Sequence, residues 1–153
     1  MKARTRARGL ALQVLFETDL VGHPAADVFK ERLEEEPLSA ELAEFARQII
    51  FGVLPIRDQL DIILTKYAPE WPLDQIAIID RNILRLAAWE FGVQKDTPVK
   101  VAINEAVELA KQYGSDNASR FVNGVLGSLA AHQNEILCAA PTRQVIQVTK
   151  KGK

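Results

Sequence analysis

VKVAINEAVELAKQYGSDNASRFVNGVLG, residues 99–127, reads as two packed helices joined by a turn. In the first half Ala102, Ala106, Leu109, Ala110 and Tyr113 recur at helical spacing. Pro98 suits a first-turn position, and Thr97 is a candidate cap before it. Gly114 is expected to close this helix in left-handed geometry, with Ser115 or Asp116 accepting from the free amides of the next one. Phe121 or Val122, Val125, Leu126 and Leu129 then form a second apolar stripe. Gly124 and Gly127 interrupt it, and because glycine inside a helix costs about 1 kcal/mol against alanine, they are expected to admit a neighbouring backbone.

Working outward, residues 5–20 place Ala7, Leu10, Ala11, Val14 and Leu15 on one helical face. Arg4 and Arg8 lie one turn apart on another edge, which continues into Leu12 and Phe16. Gly22 ends that helix and Pro24 opens a short second one. Ser39 caps a third, whose pattern is interrupted at Gly52 and Pro55 and then resumes as far as Tyr67; a kink at Pro55 is the expected reading. APEWP, residues 68–72, is a turn with Trp71 as a core plug. A short helix over Leu73 to Ile79 and a longer one over Asp80 to Phe91, ending near Gly92, complete the approach to the opening stretch. After Ala131 the period dissolves, so residues 1–131 are expected to form the folded domain and residues 132–153 a loosely ordered basic tail. The class is all-α, a compact bundle of about seven helices in two packed halves.

Net charge of minus one hides an asymmetry. Lys2, Arg4, Arg6 and Arg8 at the start, and Arg143, Lys150, Lys151 and Lys153 at the end, take eight of the 19 basic residues and leave 11 against all 20 acids between them. Basic ends on a body of minus nine suggest an anionic partner met locally. No run of about 18 apolar residues offers a membrane span, and no apolar core follows the N-terminal arginines as a secretory leader requires, so the expected location is cytoplasmic. A lone Cys138 and two scattered histidines, His23 and His132, supply neither a disulfide nor a metal site. With no glycine-rich phosphate loop and no GxSxG, neither catalysis nor a cofactor is expected.

Two constellations remain. Glu105 lies on the buried flank of its helix, with Arg81 or Arg85 placed to pair with it across helices. Asn104 and Asn123 read as buried amides or, alternatively, base readers. At the N-terminus, arginines leading to Phe16 combine a phosphate-neutralising strip with an aromatic plane, the pairing by which single-stranded RNA is held. Arg120 and Phe121 repeat that pairing at the first turn of another helix, where free amides favour an anion; Phe121 is either a stacking platform or a core residue.

INEAVELAKQYG (103–114) with RFVNGVL (120–126), ARGLALQVLFETDL (7–20) and DRNILRLAAWEF (80–91) together resemble the NusB family of transcription antitermination factors. That resemblance implies a small all-helical, non-catalytic protein that binds a single-stranded RNA element, boxA, in ribosomal RNA leaders. It implies NusE, a small-subunit ribosomal protein, as partner within an antitermination assembly on RNA polymerase. It implies RNA contacts at Lys2, Arg4, Arg6, Arg8, Phe16, Arg120 and Phe121, and a NusE face around Asp80, Arg81, Leu84 and Arg85. The rivals are a protein adaptor without RNA affinity and a detached helper module of an RNA-modifying enzyme.

Overall fold

The computed structural model describes residues 2–68 and 75–139, the last three by backbone alone. In order the helices are α1 (Ala3–Val21), α2 (Ala25–Glu35), α3 (Ala40–Val53), α4 (Arg57–Lys66), α5 (Ile78–Trp89), α6 (Val99–Tyr113), α7 (Ala118–Ala130) and α8 (Gln133–Ala139). There is no strand among the described residues. Asn82 to Trp89 of α5 are all buried, and a helix covered on every side sits inside a bundle. Neighbours supply the cover: α1, α3, α4, α6 and α7 all pack on α5, while α1 also carries α2 and α3. The two halves, α1 to α3 and α4 to α8, thus meet across α1 and α5 and share one apolar core that includes Leu12, Ile49, Ile83, Leu86, Phe91, Leu109 and Leu126.

Several local expectations hold. Gly22 ends α1 in left-handed geometry, φ 81°, its N–H donating to the Thr18 carbonyl at 3.0 Å. Ser39 Oγ accepts from the Leu42 amide at 3.3 Å. Others differ for physical reasons. At Pro55 the chain does not run on as one kinked helix: Leu54–Ile56 is a 3-10 turn and Ile56, at φ −121°, separates α3 from α4. Beyond Trp89 the helix continues through Gly92 as one widened π turn, Glu90–Gln94, until Lys95 turns left-handed at φ 68°. The short helix expected over Leu73 to Ile79 falls partly outside the described residues, and Ile78 and Ile79 belong to α5. Trp71 also lies outside them.

The opening stretch folds as two helices, with a differently built turn. Gly114 is extended, φ −80° and ψ 174°, and its requirement is spatial: a Cβ there would stand 2.8 Å from Asp80 Oδ1 and 2.7 Å from the Ala110 carbonyl oxygen. The left-handed residue is Asn117, φ 66°. Thr97 does not cap α6, because its hydroxyl donates to Glu90 Oε2 at 2.8 Å. Gly124 and Gly127 meet nothing within 4 Å and are exposed, so no neighbouring backbone approaches them.

The boundary expected at residue 131 does not mark the edge of packing. Ile136 of α8 is fully buried against Gly92, while Glu135 accepts from Lys66 Nζ at 2.6 Å and from the Tyr67 hydroxyl. His132 stacks on Tyr67 with ring centroids 5.1 Å apart. Residues 140–153, including the candidate strand Gln144 to Thr149, lie outside the described residues.

Two glycine substitutions separate packing from propensity. A Cβ at Gly52 would sit 2.3 Å from Trp89 Cζ2, and that ring is 6% exposed, so Gly52→Ala lowers stability in denaturant titration by about 1–3 kcal/mol. Gly124→Ala enters open space and raises it by about 0.5–1 kcal/mol. Acidification tests α8. The Glu135 carboxyl is held below the ordinary range by the hydrogen bond from Lys66 first and that from Tyr67 second. The stabilisation is therefore full above the unfolded carboxylate value of about 4.3 and is lost as pH falls through the lower folded value. Amide exchange in α8 accelerates across that window in the wild type, and Glu135→Gln abolishes the dependence.

Candidate nucleic-acid interface

Along α1 the side chains advance by about 100° per residue, so Arg6, Gly9, Gln13 and Phe16 fall within an arc of about 80°, whereas Arg4 stands about 120° from Phe16; Lys2 precedes the helix as its extended N-cap residue. Lys2 and Arg6 are exposed and Phe16 is half-buried. On the same arc the Tyr113 ring lies over Gly9, where a Cβ would meet its hydroxyl at 3.1 Å, and Gln13 Nε2 donates to that hydroxyl at 3.0 Å. Arg32 Nη1 in turn donates to Gln13 Oε1 at 2.5 Å, which fixes the amide. The face is thus cationic at its N-terminal end, rigid in the middle and aromatic at Phe16.

Tyr113 leads directly into the turn between α6 and α7. Asp80, 4% exposed on the first turn of α5, accepts from Ser115 Oγ at 2.6 Å and from the Ser115 amide at 3.3 Å. This clamp opens a pocket of about 250 Å³ lined by Ile76, Ala77, Asp80, Asn117 and Phe121 among others. Phe121 is half-buried: it packs on the core and also lines the pocket. Arg120 beside it is exposed at the start of α7.

Other expected contacts are placed elsewhere. Arg8 is 4% exposed, its Nε and Nη2 donating to Glu90 at 2.7 and 2.9 Å and its Nη1 to Glu105 at 3.3 Å. Burial pulls its proton affinity down, and the two carboxylates raise it by more. An arginine so buried and paired is not displayed at the surface. Arg4 is exposed on the α3 side, its guanidinium 4.7 Å from the Phe45 ring centroid. Glu105 does have an interhelical ion pair, but with Arg8 rather than Arg81 or Arg85, and it also accepts from Thr5 Oγ1 at 2.8 Å.

Of the expected partner face, Asp80, Leu84 and Arg85 are buried within this chain. Leu84 is fully buried, and Arg85, 4% exposed, is gripped by Asp61 at 2.6 and 2.7 Å and by Asp19 at 3.0 Å. Their burial follows from the central place of α5; Arg81 alone of the four is partly exposed. Asn104 and Asn123 are exposed, not buried amides. Gln13 was not singled out by sequence and Tyr113 was read only as part of an apolar stripe; the one available signal for their contact was a glycine, Gly9, on an otherwise well-filled helix. Among the described residues no group of three or more His, Cys, Asp or Glu could hold a metal ion, and no helix is long and apolar enough to cross a membrane.

Fold and face together define a small all-helical protein with a cationic, aromatic edge and buried ion pairs behind it. The family model described as the NusB family matches residues 5–131, and the chain belongs to that family, whose members are non-catalytic transcription antitermination proteins. The NusB protein of Roseiflexus castenholzii is 50% identical over 134 residues, which cover 86% of this chain and 94% of that one. T. maritima NusB superposes with a TM-score of 0.78 at 34% identity, over 85% of this chain and 92% of that one. A structure of the antitermination factors NusB and NusE in complex with dsRNA superposes with a TM-score of 0.76 at 30% identity, over 84% and 96%.

The two neighbouring arginines behave oppositely. Arg8→Ala strands Glu90, 1% exposed, and lowers unfolding stability by about 3 kcal/mol or more. Arg6→Ala changes stability by no more than about 0.5 kcal/mol in the same denaturant titration.

Proposed function

We propose that this chain is a cytoplasmic antitermination factor that binds a single-stranded, boxA-type element of ribosomal RNA leader transcripts together with NusE, and so supports read-through by RNA polymerase. The observation that carries this reading is the shared arc of Arg6, Gln13 and Phe16 behind the exposed N-cap residue Lys2, joined through Tyr113 to the turn that borders the pocket beside Phe121. Exposed cations meet phosphates; two half-buried rings offer faces on which unpaired bases stack, each worth about 1–3 kcal/mol. Paired bases are already stacked and present no such face, which favours a single strand over a duplex. A relative solved with NusE and dsRNA supports NusE and RNA as the classes of partner.

Salt dependence tests it. Each single-strand phosphate neutralised adds about 0.7 to the slope of log affinity against log salt. Anisotropy titrations with a boxA-type oligoribonucleotide should show wild-type binding that weakens with salt. The triple change Lys2→Ala/Arg6→Ala/Arg120→Ala should lower the slope by about 2, while Arg4→Ala leaves it unchanged. A wild type with no RNA affinity at any salt overturns the reading in favour of a pure adaptor.

A further inference from the structure

Lys2, the cation ahead of α1, also belongs to a cleft that the arc of α1 does not account for. Lys2 and Thr5 on one side, and Glu105, Glu108, Lys111 and Gln112 of α6 on the other, line a cavity of about 470 Å³, a size suited to a small organic group. Thr5 stands about 20° from Phe16 around α1, so the cleft borders the outward arc. Gln112 immediately precedes Tyr113, the ring of which lies over Gly9 on that arc.

The charges of the cleft are arranged for a base edge and not for a phosphate. Glu105 is already engaged, accepting from Thr5 Oγ1 at 2.8 Å and from Arg8 Nη1 at 3.3 Å. Glu108 is held only by Lys111 at 3.4 Å, with both side chains 60% exposed; so exposed a pair contributes little, and either group can turn to a ligand. A carboxylate repels phosphate oxygens, whereas Lys2 and Lys111 attract them. A ribonucleotide strand crossing the cleft therefore keeps its phosphates at the two lysines and turns a base toward Glu108.

A carboxylate only accepts hydrogen bonds, and that selects among bases. Guanine alone places two donors, N1–H and N2–H, side by side, matching both oxygens of one carboxylate as an arginine fork does. Adenine and cytosine set an amino group beside a bare ring nitrogen, and uracil sets its N3–H between two carbonyl oxygens, so in each the carboxylate meets a lone pair. The O6 that guanine retains suits an amide donor, and Gln112 supplies one within the same cleft.

We propose that the α1–α6 cleft is a subsite for an unpaired guanine, read by Glu108 and Gln112, with Lys2 and Lys111 on the flanking phosphates. The subsite rests on the RNA reading above and adds to it a base preference set by α6.

The test compares two oligoribonucleotides on the full chain by anisotropy: an oligouridylate with interspersed guanosines, and the same oligomer with inosine, which lacks the N2 amino group, in their place. Glu108→Gln and Lys111→Ala alter exposed side chains, and unchanged circular dichroism establishes that each variant is folded. The wild type should bind the guanosine oligomer about fivefold or more tightly than the inosine one, and in Glu108→Gln that ratio should fall to near one. Lys111→Ala should lower the slope of log affinity against log salt by about 0.7. A wild type that binds both oligomers equally, or a Glu108→Gln variant that keeps the wild-type ratio, overturns the subsite and leaves the RNA reading standing. A wild type that binds neither oligomer at any salt overturns the RNA reading and the subsite with it.

Discussion

The Arg8 guanidinium is the constraint that the rest of the molecule is arranged to satisfy. It lies inside the bundle with Glu90 and Glu105 around it, and Thr97 and Thr5 complete the hydrogen bonds of those carboxylates. A buried charge is tolerated only when paired and fully bonded, so α1, the π turn after α5 and α6 must meet in one arrangement. The widened turn at Glu90 to Gln94 is part of it, since Thr97, seven residues after Glu90, bonds the same carboxylate that Arg8 grips. A second guanidinium, Arg85, ties α1 to α4 through Asp19 and Asp61 by the same logic. Two buried arginines, each between two carboxylates, thereby fix the rotation of α1 at both ends.

That rotation decides what α1 shows to solvent. With Arg8 inward and Arg4 laid on Phe45, the outward arc holds Arg6, Gln13 and Phe16, with the N-cap residue Lys2 ahead of it. Continuing down the helix, the surface passes from cations to Glu17 and then to Leu20 and Val21. The cationic start of α1 and its aliphatic end are thus separated along the helix by Gln13, Phe16 and Glu17.

The helices of residues 3–66 and 78–130 were legible because their apolar residues keep a helical period and their ends carry glycine, proline or serine. What was not legible depended on the third dimension. Arg8 and Arg6 are the same residue type two positions apart, and only the location of Glu90 and Glu105, more than 80 residues away in sequence, sends one inside and leaves the other out. Asp80 and Arg85 looked like a charged surface because a buried carboxylate bonded to Ser115, or a buried arginine between aspartates, has no local signature. Gly114 was correctly read as a stop but for the wrong cause: a side chain is excluded there by the Ala110 carbonyl together with Ala118 and with Asp80 on another helix. The eighth helix escaped notice because seven residues make about two turns, too few for a period to emerge.

Amide chemical-shift mapping with a boxA-type oligoribonucleotide tests the central claim most directly, because it reads the whole face at once without altering a residue. Perturbations are expected to concentrate at Lys2, Arg6, Gln13 and Phe16, at Tyr113 to Asn117 and at Arg120 and Phe121, with Phe45, Arg47 and Ile62 silent. Shifts centred on Arg4 and Phe45, or on the edge around Leu20 and Ile62, would contradict it.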